Sequence, residues 1–248
     1  MAFGQIEGDE RAQAIDGIRF LLERDCDGLI VLSNALQDED LKALKDAQQH
    51  LCILNRHFDR IREQCFTADH VRGGVVAAQA LLEHHHERIA VITGPASSPD
   101  SVARVAGFMG ELALRGIDTS RILTLGGDFS PEGGWRAAQQ LAQSIDRFTA
   151  VFCANDETAL GVLSYFQEQG ISVPHDVSVL GYDDTQTAAM SAPRLTSVHI
   201  PMREVALNGL HWLMNRCYGS ELPVVRDFEI TLTRRASVAA PRQHALSR

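Results

Sequence analysis

The regular alternation of short apolar runs with longer amphipathic segments constrains the fold of this chain more than any other feature. Residues 149–153 are an apolar, β-branched run that fits a strand, and residues 157–169 carry apolar side chains at helical spacing before Gly170. Residues 176–180 repeat the strand pattern, as a run suited to burial on both faces. This alternation predicts an α/β fold with parallel doubly wound sheets.

The same pattern extends along the rest of the chain. Further helices are predicted at residues 9–24, 38–49, 71–83, 101–114, 131–144 and 203–217. Further strands are predicted at residues 28–32, 51–54, 65–68, 88–93, 121–125 and 196–199, with a β-rich tail at residues 224–232.

Polar residues follow the carboxyl ends of two neighbouring predicted strands. Asn155 comes directly after the run 149–153, and the sequence Gly181-Tyr182-Asp183-Asp184 follows the run 176–180. In open α/β sheets, ligands bind outside the carboxyl ends of the strands. The two polar clusters are therefore predicted to belong to one site.

Composition and charge narrow the classes of partner. The net charge of −9 and the lack of clustered Lys and Arg make this chain a poor candidate for binding a nucleic-acid backbone. No apolar run approaches the roughly 18 residues that a transmembrane helix needs, and residues 1–13 lack the features of a signal peptide. The sequence predicts a cytoplasmic protein without a membrane partner.

Motifs of catalysis and metal binding are missing from the sequence. It contains no HExxH, GxSxG, GxxxxGK[ST] or CxxC pattern. The run His84, His85 and His86 cannot converge on one metal, because consecutive helical side chains point about 100° apart, so it is interpreted as a solvated helix end. We predict no catalytic residue, no metal and no cofactor.

Four motifs carry a family resemblance. They are CANDETALG at 153–161, ISVPHDVSVLGYDD at 171–184, PRLTSVHIP at 193–201 and LTRRASVAAP at 232–241. From about residue 4 to about residue 241, the chain resembles the ligand-binding core of the lactose/galactose-repressor family of transcription regulators, which includes the purine repressor. The resemblance implies a two-lobed periplasmic-binding-protein-like fold with a small effector held between the lobes.

The resemblance also implies the domain boundaries. It gives an N-terminal lobe of residues 1–67 plus 201–228, a C-terminal lobe of residues 68–200 plus 229–241, and a tail of residues 242–248. In the family, a strand, a helix and another strand precede the segment that matches residues 5–24, and a helix-turn-helix precedes those. The first lobe is thus expected to be incomplete, with operator DNA bound only through a missing N-terminal domain and with a homodimer as the full-length form.

A sugar-sized ligand needs acceptors, a donor and an aromatic face in its site. By resemblance, Asp183 is the family's hydroxyl-accepting aspartate, although a turn or capping role is the alternative. Arg104 matches the arginine before the family's A-G-[WF] motif, although a solvated helix surface is the alternative. Phe129 takes the position of an aromatic residue over the effector, with core packing as an equal alternative. Asn155 could cap a helix, bind hydroxyls, or do both.

Four further residues complete the predicted site. Asn55 and Asp69 are expected to face the effector from strand ends. Ser98 and Asp100 fall where the purine-binding relative has an arginine and a threonine, which disfavours a purine effector. The predicted function is the effector-sensing core of a transcriptional regulator that binds a sugar or sugar phosphate. The alternative is a stand-alone sugar-binding protein or transport component, and an enzyme is a distant third.

Overall fold

The chain folds into two α/β units, each with its own sheet. The structure, a computed structural model, describes residues 10–24, 26–33, 35–43 and 51–241. The first unit contains the described residues up to Ala68 together with Pro201–Phe228, and the second contains Asp69–Ile200 and the chain from Glu229. The predicted tail at 242–248 and the second half of the predicted helix 38–49 lie outside the described residues.

The first unit has a three-stranded parallel sheet. Its strands are β1 (Leu29–Val31), β2 (Leu51–Leu54) and β3 (Cys65–Phe66), in that order across the sheet, and its helices are α1 (Glu10–Leu22), α2 (Asp38–Ala43) and α8 (Met202–Tyr218). Along β2, Leu51 and Ile53 enter a different apolar cluster from Cys52 and Leu54. Because side chains of a strand alternate between its faces, both faces of this sheet are covered.

The second unit has a six-stranded sheet in the order β5-β4-β6-β7-β8-β9. The strands are β4 (Ile89–Ile92), β5 (Leu123–Leu125), β6 (Ala150–Cys153), β7 (Ser178–Asp183), β8 (Thr196–His199) and β9 (Thr231–Thr233), and only β9 is antiparallel to its neighbour. The helices are α3 (His70–Glu83), α4 (Pro99–Leu114), α5 (Pro131–Ala142), α6 (Asp156–Glu168) and α7 (Gln186–Met190).

Strand β6 shows why this sheet is doubly wound. Val151 and Cys153 point into the apolar cluster formed with α5 and α6. Between them, Phe152 faces the other side and stacks on Phe108 of α4, with ring centroids 4.4 Å apart. The predicted α/β fold with parallel doubly wound sheets is confirmed. No helix in the described ranges is long and apolar enough to cross a membrane.

Helices α3 and α4 approach each other at two glycines. A Cβ atom on Gly74 would lie 2.0 Å from the carbonyl oxygen of Arg104, and one on Gly107 would lie 2.0 Å from the carbonyl oxygen of Val71. Only glycine permits backbones to come this close. The crossing therefore fixes the position of Arg104 relative to α3.

The predicted β-rich tail at 224–232 is wrong over most of its length, since the only strand there begins at Thr231. The preceding residues are held by side chains instead. The amide of Val225 donates to Asn208 Oδ1 at 2.7 Å, and the guanidinium of Arg226 donates to the carbonyl oxygens of Cys65 and Glu63. Hydrogen bonds between side chains and backbone groups therefore hold this segment in place without a neighbouring strand.

The interpretation of the histidine run as a solvated helix end is wrong for His86. Its side chain is fully buried, with Nε2 donating to the carbonyl oxygen of Ala239 at 2.8 Å and Nδ1 lying 2.8 Å from Thr149 Oγ1. Burial lowers the pKa of His86 to about 4. The neutral ring therefore links the C-terminal segment to the segment that precedes β6.

Protonation of His86 is expected to destabilise the fold in acid. The pKa of His86 is lower in the folded state than in the unfolded state. The contribution of its neutral ring to the free energy of unfolding is therefore complete above the unfolded pKa of about 6.5 and is lost as the pH falls toward 4. Between about pH 7.5 and pH 4.5, the wild-type free energy of unfolding should fall by about 2–3 kcal/mol more than that of His86→Gln. Urea titrations measure this difference, and the same substitution at the exposed His175 is the control. Equal losses in wild type and His86→Gln would contradict the assignment.

Candidate functional site

The candidate site lies at the carboxyl ends of β4, β6 and β7 in the second unit. Here the side chains of Arg104 and Asp183 approach to 3.3 Å, and the guanidinium carbon of Arg104 lies 5.7 Å from the centre of the Phe129 ring. The amide of Asn155 donates to the carbonyl oxygen of Phe129 at 3.0 Å. The structure thus brings these four predicted residues into one connected group.

Arg104 is the centre of this group. Its Nη1 donates to the carbonyl oxygen of Ala154 at 2.6 Å, and its guanidinium lies 4.1 Å from the centre of the Tyr182 ring. Its side chain is only 7% exposed, whereas that of Asp183 is 32% exposed. The predicted alternative of a solvated arginine does not hold, since a buried guanidinium with a fixed carbonyl acceptor is held in one orientation.

Asp183 combines an unusual backbone with an unusual protonation equilibrium. Its φ of 106° lies in a region that residues other than glycine rarely adopt. Burial raises the pKa of its carboxyl to about 7, and the positive charge of Arg104 opposes that rise. Its carboxylate is partly exposed beside a buried cation, so it can accept hydrogen bonds from a ligand.

Sequence reasoning missed His70 and Tyr182. Nδ1 of His70 lies 3.0 Å from the hydroxyl of Tyr182 and accepts from Nε of Arg104 at 3.4 Å, while its Nε2 lies 3.7 Å from Asp100 Oδ2. Burial and the charge of Arg104 lower the pKa of His70 to about 3, so the ring is neutral.

A close backbone approach makes room for Tyr182. A Cβ atom on residue 73 would lie 2.1 Å from the tyrosine hydroxyl, so the ring fits only because that residue is Gly73. Tyr182 sits inside the G-Y-D-D motif, which was a signal for its role. No comparable signal marked His70, because its partners are 34 and 112 residues away in the chain.

Phe129 and Asn155 are tied to each other and to the backbone. The Phe129 ring lies against the main chain of Gly94, where a Cβ atom would come within 2.2 Å of the ring, and its φ is 64°. Asn155 Oδ1 accepts from the amide of Thr158 at 3.1 Å and so caps α6. The capping alternative for Asn155 is present in the structure, and its amide nitrogen fixes the backbone of Phe129.

Ser98, Asp100 and Asp69 lie at the starts of two helices. Ser98 caps α4 and Asp69 caps α3, each by accepting from a backbone amide three residues on. Asp100 is buried in the first turn of α4 beside His70. The Asp69 side chain is exposed, whereas Ser98 is buried.

Asn55 belongs to the first unit, at the carboxyl end of β2. Its φ is 57°, and its backbone N–H donates to the carbonyl oxygen of Phe66 at 2.7 Å. Among the described residues, five that are not glycine have positive φ, and three of them are predicted site residues: Asn55, Phe129 and Asp183. Such conformations cost free energy and concentrate at ligand sites.

The neighbouring carboxylates serve the fold. Asp184 accepts from Arg235 at 2.6 Å and from Thr233 at 2.8 Å, and although burial opposes it, these bonds lower its pKa. Asp156 is fully buried and accepts from Ser197 and Thr185. The adjacent Asp183 and Asp184 thus diverge to different partners.

The described residues contain no group of acidic, histidine and cysteine side chains arranged to bind a metal ion. The site offers a fixed guanidinium donor, a partly exposed carboxylate acceptor and one partly exposed aromatic ring, that of Phe129. Sugars present hydroxyls that both donate and accept, and apolar C–H faces that pack on rings.

Comparisons with known proteins identify relatives of this chain. Residues 78–238 match the family described as periplasmic binding protein-like domain. The chain is 31% identical to the HTH-type transcriptional regulator AscG of Escherichia coli (strain K12), over 97% of this chain and 71% of that protein. It is 33% identical to the HTH-type transcriptional repressor PurR of Vibrio atlanticus (strain LGP32), over 81% of this chain and 60% of that protein.

Solved structures extend the likeness. A transcriptional regulator of the LacI family from Burkhoderia phymatum has a TM-score of 0.91 and 49% identity, over 95% of this chain and 86% of that chain. A LacI family regulator from Enterococcus faecium with bound ribose has a TM-score of 0.82 and 25% identity, over 95% of this chain and 86% of that chain. The Lac repressor dimer bound to operator has a TM-score of 0.81 and 26% identity, over 94% of this chain and 81% of that chain.

Proposed function

Because the chain belongs to the LacI family of transcriptional regulators, we propose that it is the effector-sensing core of such a regulator. It binds a small sugar-like ligand and couples that binding allosterically to DNA binding by a domain outside this chain. Its named relatives are regulators rather than enzymes, and we propose that it acts in the cytoplasm.

The observation that carries this proposal is the pairing of Arg104 with Asp183 near the ring of Phe129. The buried guanidinium is oriented by the Ala154 carbonyl, so its remaining donors point in a fixed direction. The carboxylate beside it is partly exposed and keeps lone pairs for a ligand. Such a preorganised donor and acceptor can bind two neighbouring hydroxyls at little entropic cost.

The proposed effector is a sugar or a sugar phosphate. The Enterococcus faecium relative was solved with ribose, which supports this class for a site of the same fold. A purine is disfavoured, because Ser98 is buried as a helix cap and Asp100 is buried beside His70. We propose that Asp69, Ser98, Asp100, Phe129 and Asn155 shape the binding site around the central pair, and that Asn55 of the first unit is a ligand-binding residue.

A thermal-unfolding screen of neutral sugars, sugar phosphates and purines tests this function. A ligand at about a hundred times its dissociation constant adds about 2.7 kcal/mol to the stability of the folded state, which raises the midpoint by several degrees. We expect at least one sugar to give such a shift and purines to give none. A folded sample that responds to no sugar, or to purines alone, would contradict the proposal. The same test is made on this chain joined to its DNA-binding domain. A sugar that binds but leaves operator binding unchanged would favour the alternative of a stand-alone binding protein.

We further propose that the protein is a homodimer. A groove of about 520 Å³ lies on the outside of α5 and α6, and its exposed surface is mainly apolar. It is lined by Pro131, Glu132, Trp135, Arg136, Leu160, Gly161 and Ser164. Apolar patches of this kind are typical of protein interfaces. The Lac repressor relative was solved as a dimer, which supports a second copy as the occupant of this groove.

Substitution in this groove is expected to dissociate the dimer. Ser164→Arg places a long charged side chain on an exposed groove position without removing core atoms. Sedimentation should change from dimer to monomer, because an unpaired charge in an apolar interface costs several kcal/mol. Gln167→Arg, one turn further on and outside the lining, is the control. A dimer that survives Ser164→Arg but not Gln167→Arg would place the interface elsewhere.

A further inference from the structure

A polar cavity lies at the amino ends of the strands of the second sheet, whereas the candidate effector site lies at their carboxyl ends. It has a volume of about 570 Å³ and is lined by residues that precede β4, β5 and β6 and by the end of α4. Parallel strands begin at one edge of a sheet and end at the other, and β4 has four residues. At about 3.3 Å per residue, this cavity is about 13 Å or more from the effector site.

Four arginines from four separate segments line this cavity: Arg88, Arg115, Arg121 and Arg147. Their number is notable because the chain as a whole carries a net charge of −9. The lining contains only two acidic residues, Glu87 and Asp118. The cavity is therefore a local concentration of positive charge on an acidic protein.

Two of the guanidiniums are oriented by the protein without being neutralised fully. Nη1 of Arg88 donates to the carbonyl oxygen of Asp146 at 2.8 Å, and a carbonyl group does not neutralise the charge of a guanidinium. Arg121 pairs only loosely with Asp118, at 3.8 Å. The carboxylate of Asp118 is engaged by Ser120, whose hydrogen bond lowers its pKa.

Arg115 and Arg147 differ in how they are held. Arg115 pairs with Glu111 one turn earlier on α4, at 3.1 Å. Within the described residues, no hydrogen bond or ion pair of the Arg147 guanidinium is observed, and its side chain is exposed. Arg147 is thus the cation of this cavity that is most available to a ligand.

We propose that this cavity binds a small molecule that carries two or more phosphate groups. Guanidinium groups bind phosphate oxygens through pairs of parallel N–H···O bonds, and several guanidiniums fit several phosphates. The volume suits a small ligand, and Ile89, Ile117 and Ile122 supply an apolar wall for an organic portion. This site is additional to the effector site and does not depend on the proposed sugar function.

Calorimetric titration with pyrophosphate, ADP, adenosine and citrate at low ionic strength tests the inference. Pyrophosphate and ADP should bind, and adenosine should not. Tighter binding of ADP than of pyrophosphate would assign a nucleoside polyphosphate, and equal binding would assign the phosphate groups alone. Citrate binding as tight as that of pyrophosphate would overturn the phosphate class.

The Arg147→Gln variant locates the binding. It should weaken pyrophosphate binding by about tenfold, the loss expected for one charge-assisted hydrogen-bond pair. Arg234→Gln removes an exposed arginine of the same unit that lies outside this cavity, and it should leave the affinity unchanged. No binding at millimolar pyrophosphate, or an equal loss in both variants, would overturn the proposed site.

Discussion

Replacing Arg104 with alanine is expected to reduce effector affinity by at least about a hundredfold, close to the loss of two charge-assisted hydrogen bonds. The substitution removes the donor beside Asp183 and leaves the Ala154 carbonyl without its partner. It also removes the cation that opposes the raised pKa of Asp183, so that carboxyl should hold its proton to higher pH. Titration of the effector identified in the thermal screen measures the loss.

Two further variants separate binding from folding. Arg104→Lys keeps the charge but cannot donate to both Ala154 and Asp183 in the geometry of a guanidinium, so affinity should remain well below wild type. Arg234→Ala breaks an exposed arginine–glutamate pair in the same unit and should bind normally. Circular dichroism must show a native spectrum for each variant. A folded Arg104→Ala variant that binds with wild-type affinity would remove Arg104 from the site.

Gly74→Ala is expected to lower the free energy of unfolding by about 3 kcal/mol or more, a size associated with overpacking against rigid backbone. The new Cβ would meet the Arg104 carbonyl oxygen at 2.0 Å and the Phe108 amide nitrogen at 2.7 Å. Neither atom belongs to a flexible side chain, so α3 and α4 must separate. Because α4 carries Arg104, effector affinity should fall as well.

Gly110→Ala is the matched control on α4. No atom lies within 4 Å of a Cβ built on Gly110, and the residue is exposed in the helix interior. Alanine should therefore stabilise the protein by about 0.5–1 kcal/mol through its helix propensity. Urea unfolding of both variants gives the comparison. Similar effects at the two glycines would contradict the close crossing of α3 and α4.

The alternation of strands and helices was readable in the sequence because it reflects local periodicity. Residues 149–153 predicted a strand, and β6 lies there with all four of its residues buried. The same reasoning overextended the tail at 224–232, because β-branched composition does not reveal whether a neighbouring strand is available. The side chains of Asn208 and Arg226 occupy that role instead.

The candidate site was readable only in part. Motif positions predicted Arg104 and Asp183 as site residues, whereas the neutral His70 depends on partners that are distant in sequence. Burial of a histidine is decided by where several segments meet, and no local pattern carries that information. Asn155 was ambiguous in sequence for the same reason, since capping depends on the helix that follows it.

The pH dependence of effector affinity tests the central claim most directly. If the ionised Asp183 carboxylate accepts from the ligand, its pKa of about 7 makes binding about tenfold weaker at pH 6 than at pH 8. Asp183→Asn should bind weakly at both pH values, with no such dependence. Calorimetric titration of the same sugar into both proteins gives these affinities. Wild-type affinity in Asp183→Asn, with the same dependence on pH, would contradict the assignment of this site.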